Sequence, residues 1–134
     1  MFDMIIKGGK VVTSGICEIA DIGIRGEKIT ALGDLSPAGA GTVFSATGLL
    51  VLPGIIDAHV HFHLPVGRGI YSADDFFTGG RSALTGGVTT VIDFVHPEHG
   101  EDLFEALENR LGEASDCPVD YGLFYCINEN SRRL

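Results

Sequence analysis

The sequence predicts an α/β chain in two parts, a small β domain over residues 1–52 and a strand–helix alternation over residues 53–134. Three observations predict it. Ahead of Pro53-Gly54, short segments rich in β-branched residues alternate with glycines, the pattern of a small antiparallel sheet. Beyond it the rhythm becomes strand, helix, strand, helix, strand, which implies parallel strands joined by right-handed crossover helices. The composition, 45% apolar and 20% charged, is that of a globular protein rather than a disordered chain.

Met4-Ile5-Ile6-Lys7-Gly8-Gly9 and Lys10-Val11-Val12-Thr13 read as the first two strands, with the glycines between them. Residues 21–33 read as a hairpin turning at Arg25-Gly26-Glu27-Lys28, and Thr42-Val43-Phe44-Ser45 as a further strand. Residues 34–41, with Pro37 and several glycines, read as a surface loop. Residues 54–62 form the first strand of the second part. Ser72-Ala73-Asp74-Asp75 has the Ser-x-x-Asp form of a capping box and opens a helix running toward Gly86-Gly87. Val88-Thr89-Thr90-Val91-Ile92-Asp93-Phe94-Val95 is the second strand. Over residues 101–114, Leu103, Phe104, Leu107, Leu111 and Ala114 recur at helical spacing behind an acidic first turn. Residues 119–127 form the third strand.

Charge and cysteine usage exclude several classes. Eighteen acidic residues against nine basic ones give a net charge of −9, which argues against nucleic acid or an anionic membrane as partner. No apolar run reaches the ~18 residues of a membrane span. The N-terminus lacks a basic, cleavable leader, so a cytoplasmic protein is expected. Cys17, Cys117 and Cys126 are odd in number and lack Cys-x-x-Cys spacing, so neither a disulfide framework nor a cysteine zinc site is expected.

The stretch that carries chemistry is Gly54-Ile55-Ile56-Asp57-Ala58-His59-Val60-His61-Phe62. A strand sends alternate side chains to opposite faces. Ile56, Ala58, Val60 and Phe62 then share an apolar face, suited to packing under helices. Asp57, His59 and His61 share the other, where a carboxylate and two imidazoles are costly without partners. Two histidines at i and i+2 set two nitrogen donors side by side, as zinc or a similar ion requires. His59 and His61 are therefore the candidate metal ligands, with Asp57 orienting its neighbours rather than binding the ion.

These residues, with Asp21-Ile22-Gly23-Ile24, Gly26-Glu27-Lys28-Ile29 and Ala46-Thr47-Gly48-Leu49-Leu50-Val51-Leu52-Pro53-Gly54 leading into them, resemble the amidohydrolase superfamily across essentially the whole chain. The resemblance implies a β-sandwich-type domain followed by a (β/α)8 TIM-type barrel. In that barrel, paired histidines at the end of the first strand bind the more buried of two divalent metals, here zinc. Ser72-Ala73-Asp74-Asp75-Phe76-Phe77-Thr78-Gly79, Gly86-Gly87-Val88-Thr89-Thr90 and Ile92-Asp93-Phe94 look like the dihydropyrimidinase and hydantoinase pattern. Such enzymes open cyclic amides to N-carbamoyl products, and the resemblance also implies a homo-oligomer. Dihydroorotases place an arginine and an acidic residue before a Pro-Gly turn where this chain has His63-Leu64-Pro65-Val66-Gly67, and the acidic turn usual in allantoinases is missing too. Both remain alternatives. So does a non-catalytic scaffold of the same fold, although retention of His59 and His61 favours the enzyme.

Other candidates are weaker. His63 is a pocket-rim candidate or a solvated loop histidine, and Asp93 a group that stabilises neighbouring loops or borders the substrate. His96, His99 and Arg68 read as ordinary surface residues. A complete barrel takes ~250 residues, so these 134 residues encode about three of its strands. The resemblance places a carboxylated lysine, two further histidines, the general-base aspartate and an oxyanion-stabilising tyrosine beyond Leu134. No catalytic residue is assignable within the chain, and alone it is expected to be inactive, with apolar sheet edges exposed.

Overall fold

The first 53 residues build one mixed sheet around β1 (Phe2–Val12), β2 (Cys17–Arg25), β3 (Lys28–Gly33), β4 (Ala40–Ser45) and β5 (Leu50–Val51). The computed structural model describes residues 1–36, 38–98 and 100–127; Pro37 of the expected loop and the surface candidate His99 lie outside them. The strand order is β3-β2-β1-β4, with β5 also on β1. Pairing is antiparallel for β1–β2 and β2–β3 but parallel for β1–β4 and β1–β5. The purely antiparallel expectation fails because the chain after β3 returns through residues 34–39 instead of turning back in a tight hairpin. The β2–β3 hairpin does turn tightly, on Gly26 at φ 59°, whose N–H is accepted by Asp3 Oδ2 at 2.6 Å.

Gly8-Gly9 does not separate two strands. It makes a bulge inside a single β1, with Gly8 at φ 70°. A bulge leaves a backbone donor unpaired, and buried Asp21 supplies the acceptor, taking the Gly8 N–H at 2.8 Å and the Leu35 N–H at 3.1 Å. Val11, Ala20 and Ile22 form the core beneath.

Residues from Gly54 onward form a second compact unit, the division falling between Pro53 and Gly54. Its parallel sheet has the order β10-β9-β6, from β6 (Ile55–Asp57), β9 (Val88–Val95) and β10 (Asp120–Tyr125). α1 (Phe76–Thr85) connects β6 to β9, and α2 (Leu103–Glu113) with a 3-10 turn (Ala114–Asp116) connects β9 to β10. A small hairpin of β7 (Pro65–Gly67) and β8 (Ile70–Tyr71), absent from the sequence reading, precedes α1. Its tip runs through Gly67, Arg68 and Gly69 at φ 98°, 56° and 72°, and Arg68 is exposed there. No helix among the described residues is long and apolar enough to cross a membrane.

Three expectations change in this unit. The first strand is shorter than residues 54–62, because its ladder ends at Asp57 and only the Val60 N–H to Ile92 O bond, 3.0 Å, continues it. The capping box of α1 is Asp75 with Thr78, not Ser72 with Asp75: Asp75 accepts the Thr78 N–H at 2.7 Å, and Thr78 Oγ1 accepts the Asp75 N–H at 3.1 Å. Those bonds from the Thr78 backbone and hydroxyl hold the Asp75 carboxyl below the ordinary carboxylate value. The inner face of α2 is also rotated. Ala106, Arg110 and Ala114 are buried, whereas Phe104 is 77% exposed and Leu111 42%.

The core joins Phe62, Phe76, Val91, Ala114 and Val119. Gly79 lets α1 lie on it, since a Cβ there would overlap the Phe62 ring. Alanine gains ~1 kcal/mol of helix propensity over glycine, but overpacking a core costs ~1–3 kcal/mol. Gly79→Ala is therefore expected to lower stability by up to about 2 kcal/mol. Gly112→Ala in α2, where a Cβ meets nothing within 4 Å, should instead raise it slightly. Denaturant midpoints of the two variants measure both effects; a Gly79→Ala protein stabilised as much as Gly112→Ala would contradict this packing.

Candidate metal centre

Parallel α/β sheets collect their chemistry at the carboxyl ends of the strands. Here that edge carries His59 and His61 after β6, His96 after β9 and Cys126 after β10. The Nε2 atoms of His59 and His61 converge to 3.0 Å. Two nitrogens held ~2.0–2.1 Å from one ion at 90–109° lie about 2.8–3.4 Å apart, so the spacing matches two lone pairs on one cation. Without a cation, it suits a hydrogen bond between one Nε2–H and the other ring's lone pair. Phe94 backs both imidazoles, with ring centroids 4.7 Å from His59 and 5.1 Å from His61.

The residues fit a divalent cation in donor type and spacing, and they furnish two of the four positions that zinc usually takes. Among the described residues no group of three or more His, Cys, Asp or Glu side chains completes a site. His61 Nδ1 is buried with no partner among them, whereas a ligating imidazole normally donates its second N–H to an acceptor. Asp57 is exposed, and its Oδ1 accepts the His59 backbone N–H at 3.2 Å rather than touching either ring.

Asp93 lies on the other face of β9 from Phe94, beneath the helices, with none of its surface exposed. It is not among the residues that line the cleft beside His63 and His96. Its Oδ2 accepts the Phe62 N–H at 2.8 Å, and its Oδ1 accepts from Arg110 Nη2 at 2.7 Å. The same Nη2 donates to Phe62 O at 2.6 Å. Arg110 also bonds Glu113 through Nη1 and stacks over the Phe76 ring at 4.6 Å. The sequence reading missed Arg110, although the signal was present. It lies at the i+7 position from Leu103, within the run Leu103, Ala106, Leu107, and a lone arginine on an apolar stripe calls for a buried carboxylate.

A cleft of about 200 Å³ opens beside these residues, lined among others by His63, Tyr71, Phe94, His96, Arg110 and Glu113. His63, in the left-handed region at φ 45°, stacks on Tyr71 at 4.4 Å and places Nδ1 3.5 Å from Glu113 Oε1. His96 is exposed in its loop, as expected, and its ring centroid lies 5.5 Å from that of His61, with its Nε2 3.9 Å from Cys126 Sγ. Partial burial lowers its pKa first, and repulsion from His61 and Arg110 adds to this against an opposing contribution from Asp93. Ser72, expected as a helix cap, instead donates to His61 O at 3.1 Å and accepts the Leu64 N–H at 2.8 Å.

Residues 50–132 match the sequence profile of the amidohydrolase family. The chain is 42% identical to the dihydropyrimidinase of Rattus norvegicus over 131 residues, which are 92% of this chain and 25% of that protein. It is 39% identical to the allantoinase of Rubrobacter xylanophilus over 127 residues, 92% of this chain and 27% of that one. The crystal structure of D-hydantoinase from Bacillus sp. AR9 superposes with a TM-score of 0.87 at 41% identity, over 96% of this chain and 28% of that one. The chain thus spans about a quarter of the length of the relatives it matches. By its sequence profile, and by a fold shared at that level of identity, the chain belongs to the amidohydrolase family.

Proposed function

We propose that these residues form the first part of a metal-dependent hydrolase that opens cyclic amides of the dihydropyrimidine and hydantoin type. The observation that carries this reading is the convergence of His59 and His61 Nε2 to 3.0 Å at the carboxyl end of a parallel strand. A scaffold that had lost its metal would have no use for two imidazoles held in that geometry. His59 and His61 would hold one of two divalent ions, with zinc the ion proposed. When bound, the metal supplies a Lewis acid that polarises the amide carbonyl.

The chain's own residues shape and hold this site. Phe94 closes the sheet side of both imidazoles and keeps water from it. Ser72 and Asp93 hold the peptide between His61 and Phe62, and so fix the backbone from which the second imidazole projects. The cleft beside His96 leaves room for a small ring, and the remaining strands of a TIM-type barrel would enclose it. We assign the two units the roles of a β-sandwich-type domain part and the first strands of that barrel, in a cytoplasmic homo-oligomer.

Ring opening of dihydrouracil, hydantoin, allantoin and dihydroorotate by the protein that carries this segment tests the reading, each with and without a chelator. Dihydrouracil or hydantoin should be preferred, and activity should vanish on chelation and return with zinc. The match to an allantoinase makes allantoin the second substrate to expect. Preference for dihydroorotate would put the chain in another subgroup, and no chelator-sensitive ring opening at all would favour the scaffold.

A further inference from the structure

We propose that Arg110 is a positioning residue for the metal centre, acting through Asp93 and the Phe62 backbone on His61; the inference rests on the metal reading above. The β6 ladder ends at Asp57, and after the single Val60 to Ile92 bond the chain leaves the sheet. The peptide that follows His61 therefore has no strand to hold it. Side chains take over that task. Ser72 donates to the carbonyl of this peptide, and Asp93 accepts its N–H from Phe62. Arg110 then donates from one nitrogen both to Phe62 O and to Asp93 Oδ1, closing a ring of hydrogen bonds around residue 62. His61 is bonded directly to a residue whose N–H and C=O are both held.

The energetics favour a positional role over a stabilising one. A buried ion pair is often replaceable by apolar residues at no loss, because desolvating two charges offsets their attraction. This pair has a further cost, since Arg110 Nε is buried with no partner among the described residues. What apolar residues cannot do is grip both polar groups of one backbone residue. Asp93 lies on the face of β9 away from Phe94 and the imidazoles, so the hydrogen bonds of the pair reach His61 through the Phe62 backbone.

Two variants of the protein that carries the whole site test this: the apolar double Asp93→Leu/Arg110→Met, and Arg110→Lys, whose shorter side chain ends before the Nη2 position from which Phe62 O and Asp93 Oδ1 are both reached. The double variant should keep a thermal midpoint near the parent's. Both variants should bind zinc at least about tenfold more weakly in chelator competition, the scale at which supporting groups act on metal ligands. The visible spectrum of the cobalt(II) form should shift in both. In metal-stripped protein, His61 should also react faster with diethylpyrocarbonate, followed by peptide mass spectrometry. Should the double variant not fold, Arg110→Lys decides alone by the same readouts. Zinc affinity within twofold of the parent, together with an unchanged His61 reaction rate, would overturn the proposal. A parent that binds no zinc through His59 and His61, yet shows the altered His61 reactivity in its variants, would defeat the metal reading and leave the positioning of His61 standing.

Discussion

Arg110→Ala is expected to destabilise the protein by about 3–5 kcal/mol, the usual cost of removing one member of a buried ion pair. Asp93→Ala should cost less. The asymmetry follows from what each change leaves behind. Without Arg110, the Asp93 carboxylate stays fully buried with only backbone N–H donors, and no other cation among the described residues bonds it. Without Asp93, Arg110 retains Glu113, the Phe62 carbonyl and the face of Phe76. Arg110 also fills core volume beside Phe76, so its truncation adds a lost contact to an orphaned charge. Equilibrium denaturant unfolding of both single variants gives the comparison. An Arg110→Ala loss under 1 kcal/mol, or a larger loss in Asp93→Ala, would mean that Arg110 is not what compensates the buried Asp93 charge.

That pair marks the limit of what the sequence made legible. The convergence of His59 and His61 was legible because its signal is local: strand parity alone puts i and i+2 on one side, and the shortening of β6 did not disturb it. The parallel order of β6, β9 and β10 was legible for a similar reason, since the alternation of β-branched runs with helical stripes is carried by each segment separately. Arg110 was not, because its partner lies 17 residues away and the stripe was phased on Phe104 and Leu111, which the fold leaves exposed. Apolar residues sit on both sides of α2, so periodicity could not choose the face. The burial of Asp93 chooses it.

The capping error has the same character. Ser72 and Asp75 each begin a plausible box, and both are used, but Ser72 is taken by the His61 carbonyl and the Leu64 N–H, a tertiary demand invisible in a local window. The β7–β8 hairpin was missed because its strands are only three and two residues long. Its one strong signal is Gly67-Arg68-Gly69, where three successive residues adopt positive φ. The mixed pairing in the first unit was hidden for another reason, since strand direction depends on where a loop returns and not on the strand's own residues.

His59→Ala and His61→Ala should each deplete at least one of the two metal ions proposed per chain, and ring opening should fall by roughly a thousandfold or more. That scale corresponds to about 4 kcal/mol of transition-state stabilisation, within the several kcal/mol that a Lewis acid supplies. The two variants should differ in how they affect the fold. His59 is exposed, with its ring against Phe94 and the His61 edge, so its removal should leave the thermal midpoint of the metal-free protein nearly unchanged. His61 is half-buried against both Phe94 and His96, so its truncation should also loosen that cluster and lower the midpoint modestly. Elemental analysis after dialysis against metal-free buffer, alongside thermal unfolding of the stripped proteins, separates loss of a ligand from loss of packing. Full metal content in both variants would remove His59 and His61 from the coordination shell. Their 3.0 Å approach would then be a hydrogen bond between two imidazoles and nothing more.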